Sequence, residues 1–191
     1  MLIDNRLPVK SPASLPNMPK SCLLVADCLI RRIPMEVVYA HEEQPKPAKQ
    51  SLFLAGPSPR NPGDPNWRPR ALTLLAERFK GTVFVPLPRN GQWLPDYDAQ
   101  IEWELRHLTS ASVIAFWIPR DLKTLPGFTT NVEFGMYLKS GKIVLGSPPE
   151  TPKMRYLESV ARGNGVPVYH TLENTLCGAL ALLTTLHICR D

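Results

Sequence analysis

The chain has 191 residues, of which 43% are apolar, and this supplies enough material for one domain with a hydrophobic core and a modest extension. The formal net charge of +5 arises from scattered basic residues, and only Arg31 and Arg32 are adjacent. Because proteins that follow a phosphate backbone concentrate lysine and arginine, this pattern disfavours a nucleic-acid partner. No apolar run is long enough to cross a membrane, so we expect no membrane partner and a cytoplasmic location.

The four cysteines are Cys22, Cys28, Cys177 and Cys189. None belongs to a CxxC pair, and no histidine lies at metal-ligand spacing from any of them. The sequence therefore predicts no zinc site, and reduced thiols are the expected state in the cytosol.

Proline marks the organisation of the first part of the chain. Four of the 21 prolines lie within residues 1–20, where the apolar residues follow no periodic pattern. This composition is typical of a poorly ordered arm. We predict that residues 1–34 are a Pro-rich extension that the fold does not need, and that the domain occupies residues 35–191.

From residue 50 onward, short apolar runs alternate with amphipathic segments. The apolar runs predict five strands, at residues 51–56, 81–88, 112–118, 142–148 and 166–171. The remaining segments carry apolar residues at helical spacing and predict helices over residues 67–79, 98–111, 131–141, 153–165 and 172–188. This alternation predicts an α/β fold: a three-layer, doubly wound parallel sheet of the flavodoxin-like or Rossmann-like type. Ligands of such folds bind outside the carboxyl ends of the strands, so the loops at these ends are the candidate site.

The loop after the first predicted strand, AGPSPRNPGDPNWRP, contains neither GxGxxG nor GxxxxGK[ST], and therefore gives no sign of a nicotinamide or ATP site. Gly56 would allow a ligand to approach the backbone closely. Ser58 and Arg60 are candidates to hold a hydroxyl or a phosphate. The same composition is equally typical of a stiff connector.

The loop after the second predicted strand carries Arg89, Trp93 and Tyr97, and aromatic residues in such a place suit stacking on a flat ring. An Asn-Gly pair in this loop is equally typical of a tight turn. The helix that follows carries Glu102 and Glu104, which point to different helix faces because they are two positions apart. At most one of these glutamates can face the ligand crevice.

Thr130 and Glu133 match the S/T-x-x-E capping box, in which the threonine caps a helix and the glutamate reaches back to the cap backbone. In the alternative interpretation Glu133 faces the crevice, where the helix N-terminus would help to keep it ionised. A carboxylate there can attack a sugar carbon and form a covalent glycosyl intermediate. The residues alone leave both interpretations open.

Three stretches of the chain resemble the nucleoside 2-deoxyribosyltransferase-like superfamily: LFLAGPSPR, VFVPLPRNG and YDAQIEWELRHLTSASVIAFWIPRDLKTLPGFTTNVEFGMYLKSGKIVLGSPPE. The resemblance covers roughly residues 50–176 and is most specific in the AGP loop and in PGFTTNVEFG. In particular, the chain resembles the bacterial branch described as "nucleoside 2-deoxyribosyltransferase like". The resemblance implies a flavodoxin-like enzyme that cleaves the N-glycosidic bond of a nucleoside or nucleotide and passes the sugar to another base or to water.

The resemblance also implies roles for particular residues. The family nucleophile is a glutamate in an ELG-like motif, and Glu133 occupies that motif in this sequence. A second family carboxylate interacts with the departing base; Glu104 falls near its position, and Glu102 is a neighbour able to replace it. This second residue would need a raised pKa in a dry pocket to act as a proton donor. The family loop that contacts sugar and base is matched by Gly56, Pro57 and Ser58.

The sequence departs from the family pattern at Gly127, where typical transferases of the superfamily have an aspartate that binds sugar hydroxyls. The residues that are candidates for this role are Asp121, Thr129, Thr130 and Asn131. Ser58 and Thr129 would also suit a sugar phosphate. The choices between transferase and hydrolase, and between nucleoside and nucleotide, therefore stay open.

The resemblance implies a small-molecule nucleoside or nucleotide as the partner, no metal or organic cofactor, and a homodimer or a larger homo-oligomer. The apolar final helix would pack either on the sheet or on a second subunit. An alternative hypothesis is a non-catalytic nucleotide-binding sensor or regulatory module, which Gly127 favours and Glu133 opposes. A third is a toxin-like effector that depletes nucleotides.

Overall fold

The computed structural model describes residues 35–44, 49–61, 63–93 and 95–188. The predicted extension, residues 1–34, lies outside these residues. Six strands and five helices follow one another in the described part of the chain. Their bounds are β1 Glu36–Tyr39, β2 Ser51–Ala55, α1 Arg68–Ala76, β3 Thr82–Val85, α2 Tyr97–Ser110, β4 Val113–Trp117, α3 Phe128–Tyr137, β5 Ile143–Gly146, α4 Arg155–Gly163, β6 Val168–Tyr169 and α5 Leu172–Ile188.

All six strands are parallel, and their order across the sheet is β1-β3-β2-β4-β5-β6. The order β3-β2-β4-β5-β6 is that of a flavodoxin-like sheet, with β1 added at the edge beside β3. The winding reverses between β2 and β4, where Phe53 pairs with Ile114 and Leu54 with Ala115. The predicted α/β doubly wound fold is confirmed, and its ligand crevice is expected at the carboxyl ends of β2 and β4.

The sheet has six strands rather than about five, because β1 was not among the predicted strands. This strand has the short sequence EVVY, and Val38 is the one residue of the four that is fully buried. A four-residue edge strand with a single buried side chain leaves too weak a period-2 pattern to be recognised. Strand β2, by contrast, is buried along its whole length, and its apolar run was recognised.

Two hydrophobic layers enclose the sheet. Successive strand residues point to opposite faces, so Leu52 and Leu54 pack with α1 and α5, whereas Phe53 packs with α2, α3 and α4. Leu176 and Leu183 of α5 belong to the first of these layers, so the apolar final helix packs on the sheet. No helix in the described residues is both long and apolar enough to span a bilayer.

Candidate functional site

A cavity of about 380 Å³ lies beyond the carboxyl ends of β2 and β3 and beside the segment that follows β4. This volume falls in the range of small-molecule sites, roughly 300–1,000 Å³. Its wall consists of the loop after β2, the first half of α2 and the start of α3. Two carboxylates, those of Glu104 and Glu133, belong to this wall.

Glu133 enters the cavity because α3 begins earlier than the sequence suggested. The helix starts at Phe128, after an N-cap at Gly127 with the left-handed φ of 65° and no side-chain cap hydrogen bond. Thr130 is therefore a buried residue of the first turn, and Glu133 is the sixth residue of the helix. The capping-box interpretation is wrong, because Thr130 lies inside the helix and its side chain does not cap it.

Glycine is required at position 127 for two reasons. Its φ of 65° is a conformation that side chains with a Cβ rarely adopt, and an added Cβ would lie 2.9 Å from Cγ of Pro57. The loop after β2 and the start of α3 therefore meet closely here. This contact gives a physical reason for the departure from the family's aspartate at this position.

Glu104 is placed by the register of α2. Asp96 caps this helix by accepting hydrogen bonds from the backbone amides of residues 98 and 99. Gln100 and Trp103 lie on the buried face, and Glu104 follows Gln100 by one turn. Nε2 of Gln100 donates a hydrogen bond of 2.6 Å to Oε1 of Glu104. Glu102 is exposed and lies outside the cavity wall, so of these two glutamates only Glu104 faces the crevice.

Arg68 is a buried cation near the site that the sequence analysis missed. It is the first residue of α1 and is 1% exposed. Its Nε donates to the carbonyl of Leu54 at 3.2 Å, Nη1 to Pro57 at 3.1 Å and Nη2 to Gly56 at 2.8 Å. The sequence does contain an indication of this burial: Arg68 precedes Ala71 by three residues, which puts both on the helix face that packs on the sheet. No role was assigned to this residue in the sequence analysis.

Burial is the main cause that raises the pKa of both carboxyl groups. Burial raises the pKa of Glu133 to about 7, helped by the charge of Glu104 and opposed by that of Arg68. Burial also raises the pKa of Glu104, while the Gln100 hydrogen bond and the charges of Arg68 and His41 oppose the rise. Burial lowers the pKa of Arg68 to about 10, so its guanidinium remains charged at neutral pH.

The direction of the Glu104 shift meets the requirement for a proton donor, whereas the expectation that the helix N-terminus keeps Glu133 ionised is not met, because the pKa of Glu133 is raised to about 7. Glu133 is the sixth residue of α3, and the dipole effect is strongest in the first turn. With a pKa of about 7, Glu133 is partly protonated near neutral pH, and its pKa depends on the charge of Glu104. Such a pair can offer one carboxylate and one carboxylic acid at the same time.

Of the candidates to replace the aspartate, only the two threonines reach the cavity. Thr129 and Thr130 line it. Asn131 lies outside the wall, and its Oδ1 accepts a hydrogen bond from Nη2 of Arg120. Asp121 is exposed and accepts hydrogen bonds from the backbone amides of residues 123 and 124, which holds its own turn together. We therefore find no carboxylate from this set in the cavity.

The two arginines that the sequence singled out occupy different places. Arg60 lines the carboxylate cavity and also an adjoining cavity of about 610 Å³. Arg89 lines only the adjoining cavity, where its Nε donates to Glu42 at 2.6 Å and its guanidinium stacks 4.3 Å from the Tyr39 ring. Arg89 thus joins the loops after β1 and β3, and it does not line the cavity that contains Glu104 and Glu133.

The loop after β2 lies in the wall, as expected for Gly56, Pro57 and Ser58. The backbone of Gly56 passes so close to the end of β4 that an added Cβ would lie 2.0 Å from the Trp117 carbonyl oxygen. Only glycine permits this crossing of the loop over the neighbouring strand.

Aromatic residues border the open side of the cavity. Trp93 and Tyr97 were expected here, and Phe128, which is 70% exposed, was missed. The predicted helix starts at residue 131, three residues after the observed start, so the prediction leaves Phe128 in a loop. No group of three His, Cys, Asp or Glu side chains within the described ranges is arranged to hold a metal ion.

The comparisons with known proteins agree with this geometry. A family model described as "Nucleoside 2-deoxyribosyltransferase like" matches residues 49–151. This match runs from the start of β2 to beyond β5 and contains Arg68, Glu104 and Glu133. A search of curated proteins gave no match. Because the matched segment covers more than half of the chain, the protein belongs to the nucleoside 2-deoxyribosyltransferase-like family.

Proposed function

We propose that this protein cleaves the N-glycosidic bond of a nucleoside, deoxynucleoside or nucleotide and passes the sugar to another base or to water. The observation that carries the proposal is the pair Glu104 and Glu133 in the wall of one cavity of small-molecule size. Membership of the family supports glycosyl transfer as the type of chemistry. The position of the cavity, where ligands bind in doubly wound folds, independently supports its use as a small-molecule site.

In the proposed reaction the Glu133 carboxylate attacks the anomeric carbon of the sugar. A bond forms between the carboxylate oxygen and that carbon, and the bond between the carbon and the base nitrogen breaks, its electron pair leaving with the base. Glu104, in its acid form, gives its proton to the departing base. An acceptor base or water then attacks the same carbon and releases Glu133, and the proton that it loses returns to Glu104.

The reactive form of the pair carries its proton on Glu104 and none on Glu133. Burial raises the pKa of both groups, so the pair retains a proton close to neutral pH. As the base leaves, the sugar gains positive charge, which favours the ionised form of Glu133. Two carboxyl groups with raised pKa values in one cavity therefore suit a reaction in which one acts as acid and the other as nucleophile.

The rest of the cavity suits a nucleoside. The rings of Trp93, Tyr97 and Phe128 offer flat apolar surface for the base. Ser58, Thr129 and Arg60 line the cavity, and we assign the two hydroxyls to the sugar hydroxyls and the arginine to a phosphate. We place this small-molecule chemistry in the cytoplasm, where the free thiol of Cys177 would stay reduced.

We also propose that the chain forms a homo-oligomer. Tyr97, Ile101 and Leu105 form an exposed apolar stripe along α2. A second stripe on α3 consists of Phe128, Val132 and Met136. Two members of these stripes border the cavity, so a subunit packed here would lie beside it. Light scattering tests this: we expect a mass of at least two chains, reduced by Val132→Glu, and a monomeric mass for the wild type would refute it.

A second candidate function is a nucleotide-binding sensor without turnover. Two observations favour it. Gly127 occupies the position at which the family has an aspartate that binds sugar hydroxyls. The pKa of Glu133 is about 7, so this glutamate is not fully ionised at neutral pH, as a nucleophile would need to be. A sensor would bind nucleosides or nucleotides equally well before and after Glu133→Gln.

A substrate panel separates the two functions. Pure protein is incubated with nucleosides, deoxynucleosides and their monophosphates, with and without an acceptor base, and the products are separated by chromatography. We expect free base or exchanged nucleoside from the wild type and from the control Glu102→Gln, but not from Glu133→Gln. If no substrate yields a product while ligand binding survives Glu133→Gln, the sensor is the correct function.

A further inference from the structure

The Arg68 guanidinium lies near the carboxylate cavity but has no role in the proposed reaction. It is 1% exposed, and no ion pair joins it to a carboxylate among the described residues. Burying a charge without a partner is unfavourable, so this arginine must be stabilised by other contacts or by the field around it. Both kinds of stabilisation are present. The contacts are with the loop that lines the carboxylate cavity, and the field comes from Glu104 and Glu133 in its wall.

The contacts of Arg68 hold the loop after β2. Its three hydrogen bonds go to the carbonyls of Leu54, Gly56 and Pro57, at the end of β2 and the start of the loop. Nε1 of Trp67 donates to the same Pro57 carbonyl at 3.2 Å, and the Arg68 guanidinium lies 4.6 Å from the Trp67 ring centroid. Because residues 56–58 line the cavity, the guanidinium fork sets the position of one wall.

The field of Arg68 acts on both carboxylates. Glu133 is influenced by the negative charge of Glu104 from α2 and by the positive charge of Arg68 from α1. Glu104 is influenced by Arg68, by His41 from the loop after β1 and by the Gln100 hydrogen bond. Arg68 is therefore the cation that the two groups have in common, and it is the one that opposes the protonation of Glu133.

We propose that Arg68 is the positioning residue of the carboxylate cavity: its fork fixes the loop of residues 56–58, and its buried positive charge favours the ionised form of Glu133 that attacks the sugar. The catalytic part of this proposal rests on the proposed function. The electrostatic part does not, because the charge of Arg68 acts on Glu133 whether or not the protein turns over a substrate.

The test is a titration of the full chain labelled with ¹³C at the glutamate side-chain carboxyl carbons. Glu133→Gln and Glu104→Gln assign the two signals. We expect Arg68→Met to raise the titration midpoint of Glu133 by about one pH unit or more, which is the usual effect of losing a nearby opposite charge. Arg70→Met is the matched control, because Arg70 lies on the same helix, exposed and paired with Glu173. It should leave the midpoint unchanged.

A folded Arg68→Met with the wild-type midpoint would overturn the proposal. If Arg68→Met does not fold, Arg68→Lys tests the positioning role. A lysine keeps the charge but cannot make the three hydrogen bonds that the guanidinium donates to carbonyl groups. We expect the backbone amides of Gly56 and Ser58 to exchange with solvent about tenfold faster in Arg68→Lys, equivalent to about 1.4 kcal/mol. Wild-type exchange there would equally overturn the positioning role.

These measurements separate failure of this inference from failure of the proposed function. A shifted midpoint without turnover of any substrate refutes only the glycosyl chemistry. Where turnover is found, the acid limb of the pH–rate profile should move to higher pH in Arg68→Met, because ionised Glu133 is then formed only at higher pH. A purely structural arginine would lower the rate without moving that limb.

Discussion

Nε2 of Gln100 donates to Oε1 of Glu104 across 2.6 Å, one helical turn apart on α2. Gln100 is 3% exposed, so the bond is shielded from water. A donor of this kind favours the ionised carboxylate and lowers its pKa, against the effect of burial. Gln100 therefore limits how far the pKa of the proposed acid can rise.

The first prediction concerns this bond. Gln100→Leu removes the donor, so we expect the pKa of Glu104 to rise and its acid form to persist to higher pH. The alkaline limb of the pH–rate profile should move up by about 0.5–1 unit. Gln92→Leu, in an exposed loop, is the control. An unmoved alkaline limb in Gln100→Leu would show that Glu104 is not the acid.

The second prediction concerns stability and pH. Burial raises the pKa of Glu133 from 4.5 to about 7, so ionisation favours the unfolded chain. The wild type should lose stability as the pH rises from 4.5 through 7, a loss that Glu133→Gln avoids. We expect the stability advantage of Glu133→Gln to be larger at about pH 8 than at about pH 5 by on the order of 2 kcal/mol.

Urea unfolding at the two pH values measures this difference. Glu102→Gln is the control, because Glu102 is exposed and should show no such dependence. If the advantage of Glu133→Gln were equal at both pH values, Glu133 would not be an ionising buried group.

The third prediction compares two glycines of α3 and its cap. Gly127→Ala introduces a Cβ at a φ of 65° and 2.9 Å from Pro57, so we expect a loss of about 1–3 kcal/mol in the free energy of unfolding. An added Cβ at Gly135 meets nothing within 4 Å, and alanine is the better helix former. Gly135→Ala should therefore stabilise the protein by up to about 1 kcal/mol. Equal effects at both positions would contradict the close contact between Gly127 and the loop after β2.

The fourth prediction concerns the aromatic border. Phe128 is 70% exposed at the open side of the cavity, so its removal should weaken binding of a base without disturbing the core. We expect Phe128→Ala to raise KM about tenfold with little change in kcat, as for the loss of one stacked ring. Tyr156→Ala removes a 77% exposed ring on α4, outside the cavity wall and both apolar stripes, and should leave KM unchanged. A reduced kcat with an unchanged KM would place Phe128 in the chemistry rather than in binding.

The layers of this fold were predictable because the central strands are buried on both faces. β2 and β4 are buried at every position, and such runs are recognisable without any knowledge of their neighbours. β1 was missed because only one of its four residues is buried. Local pattern therefore predicts the centre of the sheet better than its edge.

The candidate site was predictable for residues recognised by their type in a motif. It was not predictable for residues whose position depends on how the chain packs. Glu133 and Glu104 were identified from the resemblance, and the structure places both in one cavity. Arg68 was missed because its role depends on burial. Asn131 and Arg89 lie outside the cavity wall, where they bind Arg120 and Glu42, and the sequence does not reveal these partners. The start of α3 was misjudged because a left-handed glycine opens the helix where a threonine cap was expected.

The central claim is that Glu133 becomes covalently bound to the sugar. The most direct measurement is the mass of the peptide that contains Glu133 after the protein reacts with a nucleoside whose sugar carries fluorine next to the anomeric carbon, which slows release of the intermediate. We predict that this peptide gains the mass of the fluorinated sugar, and that the gain disappears in Glu133→Gln and persists in Glu102→Gln. A sugar bound to another residue, or turnover of ordinary nucleosides with no labelled peptide, would contradict the account.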